Sequence, residues 1–333
     1  MPDVLTFGEL MLRLTTPGFQ RFAQAAQFDI HFGGAEANVA VAIAQLGGSA
    51  GFFTKLPRNE LADRALRELH GHGVDVSRVA RGGERMGVYF LEHGAGHRAG
   101  KVVYDRKYSA IAEARSDEFD WAKILAGVRW FHWSGITAAL SDHAADMIAQ
   151  ACETARSMGI TVSFDVNYRS KLWAPERAGA VLAPLMKHVD LCVSSTEELR
   201  SIFKIDVPAE SKDREIAAAR QVQERFGVHR VALTMRQAET AGSTRWAAML
   251  YAGSEAYFSK SYDVTIVDRL GAGDSFSGAL IFALHRGDGP REALELAVAA
   301  SCLKHTVAGD YNLVSLAEVE ALAAGRHGGR VQR

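Results

Sequence analysis

A chain of 333 residues, 48% hydrophobic and 23% charged, has the balance of a globular protein large enough for one extended α/β domain or two ordinary ones. Lys and Arg total 38 against 39 for Asp and Glu, so a formal net charge of -1 excludes a global electrostatic pull toward nucleic acid or an acidic membrane. Cys152, Cys192 and Cys302 are too scattered for a disulfide framework or clustered metal site, and with no leader-like start or apolar run of about eighteen residues the expectation is a cytoplasmic protein.

Residues 4–8 read as a short buried strand closed by glycine, and 10–14 as a partly alternating run punctuated by Pro17 and Gly18. Residues 21–32 mix aromatic and polar positions without a helical period. In HFGGAEANVAVAIAQLGG, Gly33 and Gly34 permit a close turn. Ala37, Val39, Ala40, Ile43, Ala44 and Leu46 then build a helix that Gly47 and Gly48 stop. Residues 50–54 predict a strand and 60–70 a helix. Between 87 and 108 the pattern changes: Val88, Phe90, Val102 and Tyr104 fall in short alternating segments joined by EHGAGHRAG, which predicts a hairpin with a long polar connection. Half-polar strands suit a sheet with one exposed face, so segments at about 10–32 and 86–108 are expected to form a small lid or a dimerising sheet.

The strand–helix rhythm then resumes. Strands are predicted at 128–133, 160–166, 189–193 and 230–235, and helices at 142–158, 176–187, about 196–202 and about 212–226. Residues 246–251 and 255–258 form an antiparallel pair; helices follow from the GAGD turn to about 285, from Pro290 to about 307, and at 316–322. This spacing favours a three-layer α/β domain with a mostly parallel sheet. One domain is expected over 1–325, with the lid segments inserted in it and a tail at 326–333.

The stretch VDRLGAGDSFSGAL carries the sharpest chemical signal. Gly271, Ala272 and Gly273 make a small-residue turn that opens into a helix, leaving backbone N–H groups unpaired as an anion site. Asp274 at that point would repel a phosphate unless it takes a proton from a hydroxyl while the amides hold charge on a transferring group. The plainer reading makes Asp274 a helix cap. Other polar groups fall at predicted strand ends: Asp165, Asn167 and Arg169 after one, Ser195 and Glu198 after another. Arg106 and Arg169 are planar forks suited to a carboxylate, or else surface ion-pair partners; Tyr89 and Tyr104 are site tyrosines or ordinary half-buried sheet residues.

Three segments together resemble the ribokinase-like, PfkB-type carbohydrate kinases, and among them those acting on 2-keto-3-deoxygluconate: GGAEANVAVAIAQLG from Gly33, DVNYRSKLW from Asp165, and GAGDSFSGAL from Gly271, preceded by Asp268. The resemblance implies a doubly wound sheet with a β-sheet lid, often used for dimerisation. It further implies ATP-dependent phosphorylation of the primary hydroxyl of a sugar acid, in the first place 2-keto-3-deoxy-D-gluconate to its 6-phosphate, with Mg2+ bridging phosphates. Carried onto this chain, Asp274 would be the catalytic base and Gly271, Ala272 and Gly273 the anion hole. Gly34, Tyr89, Tyr104, Arg106, Arg169 and Asp310 would join Asp274 around the substrate. Ser195, Glu198, Thr234 and Arg236, with Gly271 and Gly273, would face the nucleotide, and residues 301–305 its adenine and ribose.

Departures from the family pattern stand at defined places. Ser195 replaces the usual amide of an Asn-x-x-Glu segment that retains Glu198, VALTMRQAET lacks a glycine-rich continuation, and Arg269-Leu270 replace small hydroxyl residues near a possible monovalent-cation site. Rival readings are a fructose or other neutral-sugar kinase, a kinase for the galactonate-derived ketodeoxy acid, and a non-catalytic sugar or nucleotide sensor. An NAD-dependent oxidoreductase is disfavoured, because neither glycine turn follows the first strand with the G-x-G-x-x-G spacing. A homodimer or higher homo-oligomer through the lid is expected, and no nucleic-acid or membrane partner.

Overall fold

Every residue of Val4–Phe7 is buried, because this strand has a neighbour on each side and helices over both faces. The computed structural model describes residues 1–207 and 213–326. Ala50–Phe53, Val4–Phe7, Trp130–Ser134, Thr161–Asp165, Leu191–Ser194 and Arg230–Thr240 stand side by side in that order, all paired in parallel. Ser243–Ala252 extends this sheet antiparallel and carries Glu255–Phe258 and Tyr262–Thr265 along its far side. The chain leaves Val4–Phe7 toward one edge and returns on its other side at Trp130–Ser134, so the winding reverses there. In open α/β sheets the crevice beyond the strand carboxyl ends at such a reversal is where ligands settle.

One face of the sheet is covered by Ala35–Gln45, Glu60–Gly71, Ala272–Arg286, Pro290–Lys304 and Leu316–Ala323. The other carries Asp142–Ser157, Pro175–Leu182, Thr196–Phe203 and Arg214–Phe226. Three layers result, the expected doubly wound, mostly parallel α/β fold. The helix that opens at the glycine turn is anchored by Phe276 and Leu280, both 0% exposed. Burial of a side chain of that size contributes about 1.5–3 kcal/mol, so the turn sits on a rigid base.

A separate small sheet has the strand order Asp29–Gly33, Met11–Thr15, Gly87–Glu92, Lys101–Asp105. Side chains alternate between its faces. Arg13 stands opposite Tyr89, and Tyr89 opposite Tyr104, on the face toward the crevice. Leu14 opposite Ile30, and Phe90 opposite Val103, lie on the outer face.

Some strands exceed their local signal. Asp29–Gly33 forms in a stretch with no clear period, Arg230–Thr240 runs past Met235, and Tyr262–Thr265 has no sequence counterpart among the predicted strands. Each is held by a long antiparallel partner, and such pairing overrides weak local propensity. Of the tail expected at 326–333, residues 327–333 lie outside the described residues. Among the described residues no helix is long and apolar enough to cross a membrane.

Candidate active site

The crevice is lined by Gly34, Tyr89, Tyr104, Arg106, Arg169, Gly271, Asp274 and Asp310. Strand ends, helix starts and the small sheet all deliver these residues to one place, although they span most of the chain. Gly34 precedes the helix Ala35–Gln45, and a Cβ there would fall 1.9 Å from the Glu9 carbonyl oxygen, so only glycine lets the two segments close. Gly271 has φ 78, and a Cβ there would fall 1.9 Å from the Asp310 carbonyl oxygen. The helix Ala272–Arg286 begins directly after it with no side-chain cap, so its first amides stay available to an anion.

Asp274 sits in the first turn of that helix and accepts from Asn38 Nδ2 through Oδ2 at 2.7 Å. Its Oδ1 has no donor among the described residues. Burial raises its pKa to about 6, against the opposing hydrogen bond from Asn38 and the charge of Arg169. Arg169 is exposed and donates from Nη1 only to the neighbouring Tyr168 carbonyl at 3.1 Å, so its charge is open to a ligand. Arg106 is different. Its Nε donates to Glu9 Oε2 at 2.8 Å, its Nη2 meets the same oxygen, and Ser109 Oγ holds Glu9 Oε1 at 2.6 Å. One edge of the guanidinium is therefore committed, and its plane lies over the Tyr104 ring.

Sequence reasoning passed over Glu9, Asn38, Glu36 and Ile136, which also line the crevice. Glu36 is buried beneath the crevice and accepts on Oε1 from Ser134 N, Ser134 Oγ and Thr137 Oγ1 at 3.0, 2.7 and 2.7 Å. Burial raises its pKa to about 7 although these donors oppose the shift. The available signal was a glutamate and an asparagine within an Ala- and Val-rich helix, polar groups with no place on an apolar face. Arg13 was also missed, and it reaches both Asp268 and Asp310 from the small sheet.

The residues expected near the nucleotide form a second group at the adjoining strand ends. Ser195 caps Thr196–Phe203 in a reciprocal box with Glu198, whose Oε2 accepts from Ser195 N at 3.0 Å and whose Oε1 accepts from Tyr168 N at 2.9 Å. Thr234 Oγ1 donates to the Ser194 carbonyl at 3.4 Å. Thr234 and Arg236 line a cavity of about 400 Å³ apart from the crevice, with Thr196, Arg214 and Ser259. Ser195 and Glu198 line neither cavity, and Ala272 and Gly273 fall in the helix start instead of the wall.

A larger cavity, about 580 Å³, adjoins the crevice across Leu270, between the 93–100 connection, Thr240–Gly242 and residues 266–270. Size alone would favour it, but Gly271 and the aspartate with an open oxygen line the crevice.

Among the described residues no group of three or more His, Cys, Asp or Glu is placed to hold a metal ion. Asp165 lies near both Glu198 and Asp274, and burial followed by these two charges raises its pKa well above the usual range. Such a pair of carboxylates suits Mg2+, which binds one or two carboxylates and keeps phosphate and water oxygens for its remaining positions. The Asp268 side chain is committed within the protein: Oδ2 is met by Arg13 Nη2 and Gly309 N, and Oδ1 by Leu270 N.

Comparison with known proteins identifies the family of the chain. Residues 1–316 match the pfkB family carbohydrate kinase model. A 2-dehydro-3-deoxygalactonokinase of Haloferax volcanii is 34% identical over 98% of each chain. A 2-dehydro-3-deoxygluconokinase of Thermoproteus tenax is 31% identical over 93% of this chain and 90% of its own. The crystal structure of 2-dehydro-3-deoxygluconokinase from Thermotoga maritima superposes with a TM-score of 0.95 at 45% identity, covering 97% of this chain and 98% of that one. With a family match over residues 1–316, nearly its whole length, the chain belongs to the pfkB family of carbohydrate kinases.

Proposed function

We propose that this kinase transfers the γ-phosphoryl group of ATP to the primary hydroxyl of a ketodeoxy sugar acid, in the first place 2-keto-3-deoxy-D-gluconate, giving its 6-phosphate. One observation carries the reading: an aspartate with an open carboxylate oxygen stands among unpaired helix amides, in the same crevice as an uncommitted guanidinium. The hydroxyl oxygen attacks the γ-phosphorus, its proton passes to Asp274, and the bond to the β–γ bridging oxygen breaks to release ADP. A base whose pKa lies at about 6 is ionised at neutral pH while still able to hold a proton. Amides of the Gly271–Gly273 turn face charge developing on the phosphoryl oxygens.

Arg169 takes the substrate carboxylate, assisted by the free edge of Arg106, while Tyr104 directs its hydroxyl at the sugar chain and Tyr89, whose hydroxyl is held by Asp310, walls the site and excludes water as part of a lid. A neutral ketose would offer Arg169 no anionic partner, which favours an acid. The nucleotide runs toward Thr234 and Arg236, with Ser195 and Glu198 shaping the intervening strand end. Mg2+, held by Asp165 and Glu198 with phosphate and water oxygens, would neutralise phosphate charge. An ATP-using reaction is best placed in the cytoplasm. The exposed apolar outer face of the small sheet supports a homodimer, with Ile30 42% and Val103 51% exposed.

ADP release measured with 2-keto-3-deoxygluconate, its galactonate counterpart, fructose and ribose tests the reading. Activity with the ketodeoxy acids far above that with either neutral sugar is expected. Preference for a neutral sugar would overturn the acid assignment, and no ADP release with any acceptor would overturn the kinase assignment.

A further inference from the structure

Arg13 lies on a strand of the small sheet, yet its guanidinium is 0% exposed and points away from the outer face. Desolvating a guanidinium is costly, and a leucine of similar bulk would pack there without that cost. The charge is answered in full. Nε donates to Thr15 Oγ1 at 2.7 Å, Nη1 to Asp310 Oδ2 at 2.6 Å and Nη2 to Asp268 Oδ2 at 2.5 Å. Burial opposes its ionisation, but the carboxylates of Asp310 and Asp268 outweigh that and raise its pKa.

Both carboxylates act onward. Asp268 Oδ1 accepts from Leu270 N and Oδ2 from Gly309 N, each at 3.1 Å, tying the entry to the glycine turn to the segment after Pro290–Lys304. Asp310 Oδ1 accepts from the Tyr89 hydroxyl at 2.5 Å, and the Asp310 carbonyl is the surface against which Gly271 is fitted. Tyr89 in turn stands opposite Arg13 on the adjoining strand. One guanidinium thus joins a wall of the sugar side, through Asp310 and Tyr89, to the turn on the phosphoryl side, through Asp268 and Leu270.

We propose that Arg13 is a positioning residue for phosphoryl transfer, which sets the shape of the Leu270–Gly273 turn through Asp268 and couples it to the sugar-facing side of the small sheet. The activity part of the inference rests on the kinase reading above. Lysine cannot replace it, because a single ammonium lacks the planar fork needed to hold two carboxylates at once.

The test compares the full-length wild type with Arg13→Lys, Asp268→Asn and the milder, nearly isosteric Thr15→Val. Steady-state kinetics are normalised to the fraction that binds substrate, and backbone hydrogen exchange is resolved over residues 266–276. In Arg13→Lys and Asp268→Asn, kcat is expected to fall roughly 10- to 100-fold, the cost of a small misplacement of reacting groups, while both KM values stay within about threefold. Exchange across the turn should accelerate in all three variants while that of Trp130–Ser134 does not change. A merely structural role would lower the folded fraction and Tm but leave kcat per binding site intact. Turnover within about threefold of wild type in folded Arg13→Lys or Asp268→Asn, or unchanged exchange at the turn, overturns the proposal. Absence of ADP release by the wild type with every acceptor would instead fail the kinase reading, and the exchange result would still decide the role of Arg13 in shaping the turn.

Discussion

Asn38 Nδ2 donates to Asp274 Oδ2 at 2.7 Å, so the helix after the first glycine pair orients the aspartate at the head of the helix after the last one. The bond favours the ionised aspartate, against burial, which raises its pKa to about 6. Ionised Asp274 is the working form in the proposed mechanism. In the wild type, kcat/KM for the sugar acid should therefore rise through about pH 6 and level off above it. Asn38→Ala removes a donor to the charged form and should move that rise upward, to roughly pH 7–8. A pH–rate series on both proteins checks this; an unmoved acid limb would separate Asn38 from the base.

Asp274→Asn keeps the shape of the side chain but removes its basicity. Turnover should drop roughly 10²–10⁴-fold with much smaller effects on nucleotide affinity. Calorimetric titration with an ATP analogue beside the turnover assay distinguishes lost chemistry from lost binding, and near-normal turnover would remove the base assignment.

Arg169→Ala deletes the open guanidinium. Catalytic efficiency with a sugar acid should fall by the worth of a charge-assisted contact, on the order of 1.5–3 kcal/mol, with little effect on a neutral ketose. Arg106→Ala should behave differently, since it also leaves Glu9 without its cation and so lowers Tm. Parallel losses with both substrate types in Arg169→Ala would contradict a carboxylate contact.

Glu36 links the site to stability. Its pKa is raised by burial to about 7 from the ordinary value of 4.5, so the folded protein binds this proton more tightly than the unfolded chain. The resulting stabilisation is fully present below about pH 4.5 and is lost as pH rises through about 7, on the order of 3 kcal/mol for this group. Glu36→Gln keeps an acceptor for Ser134 and Thr137 without the charge. It should flatten the decline in urea-unfolding stability between pH 5 and 8; an equally steep decline would place the linkage elsewhere.

On the outer face of the small sheet, Ile30 and Val103 stand exposed beside Phe90 and Leu14. If this face joins two copies, Ile30→Glu with Val103→Lys should yield a monomer in sedimentation equilibrium with the fold intact. A wild-type monomer at micromolar concentration would exclude the lid dimer.

Local information was sufficient for the geometry of the last glycine turn. GAGD followed by an apolar helical period places Asp274 among free amides wherever that helix packs, because turn, helix start and carboxylate are neighbours in sequence. The strand–helix rhythm likewise implied a mostly parallel sheet, since hydrophobic periodicity reports the layers a segment must bury. Which charges remain free was a tertiary decision. Arg106 and Arg169 look alike as sequence, yet Glu9, 97 residues from Arg106, occupies one and leaves the other open. Arg13 and Asp268 are 255 positions apart and meet only because the small sheet closes over the point where the main sheet reverses. An ion pair depends on separation in space, and that separation exists only after strand order and the stacking of the two sheets are set.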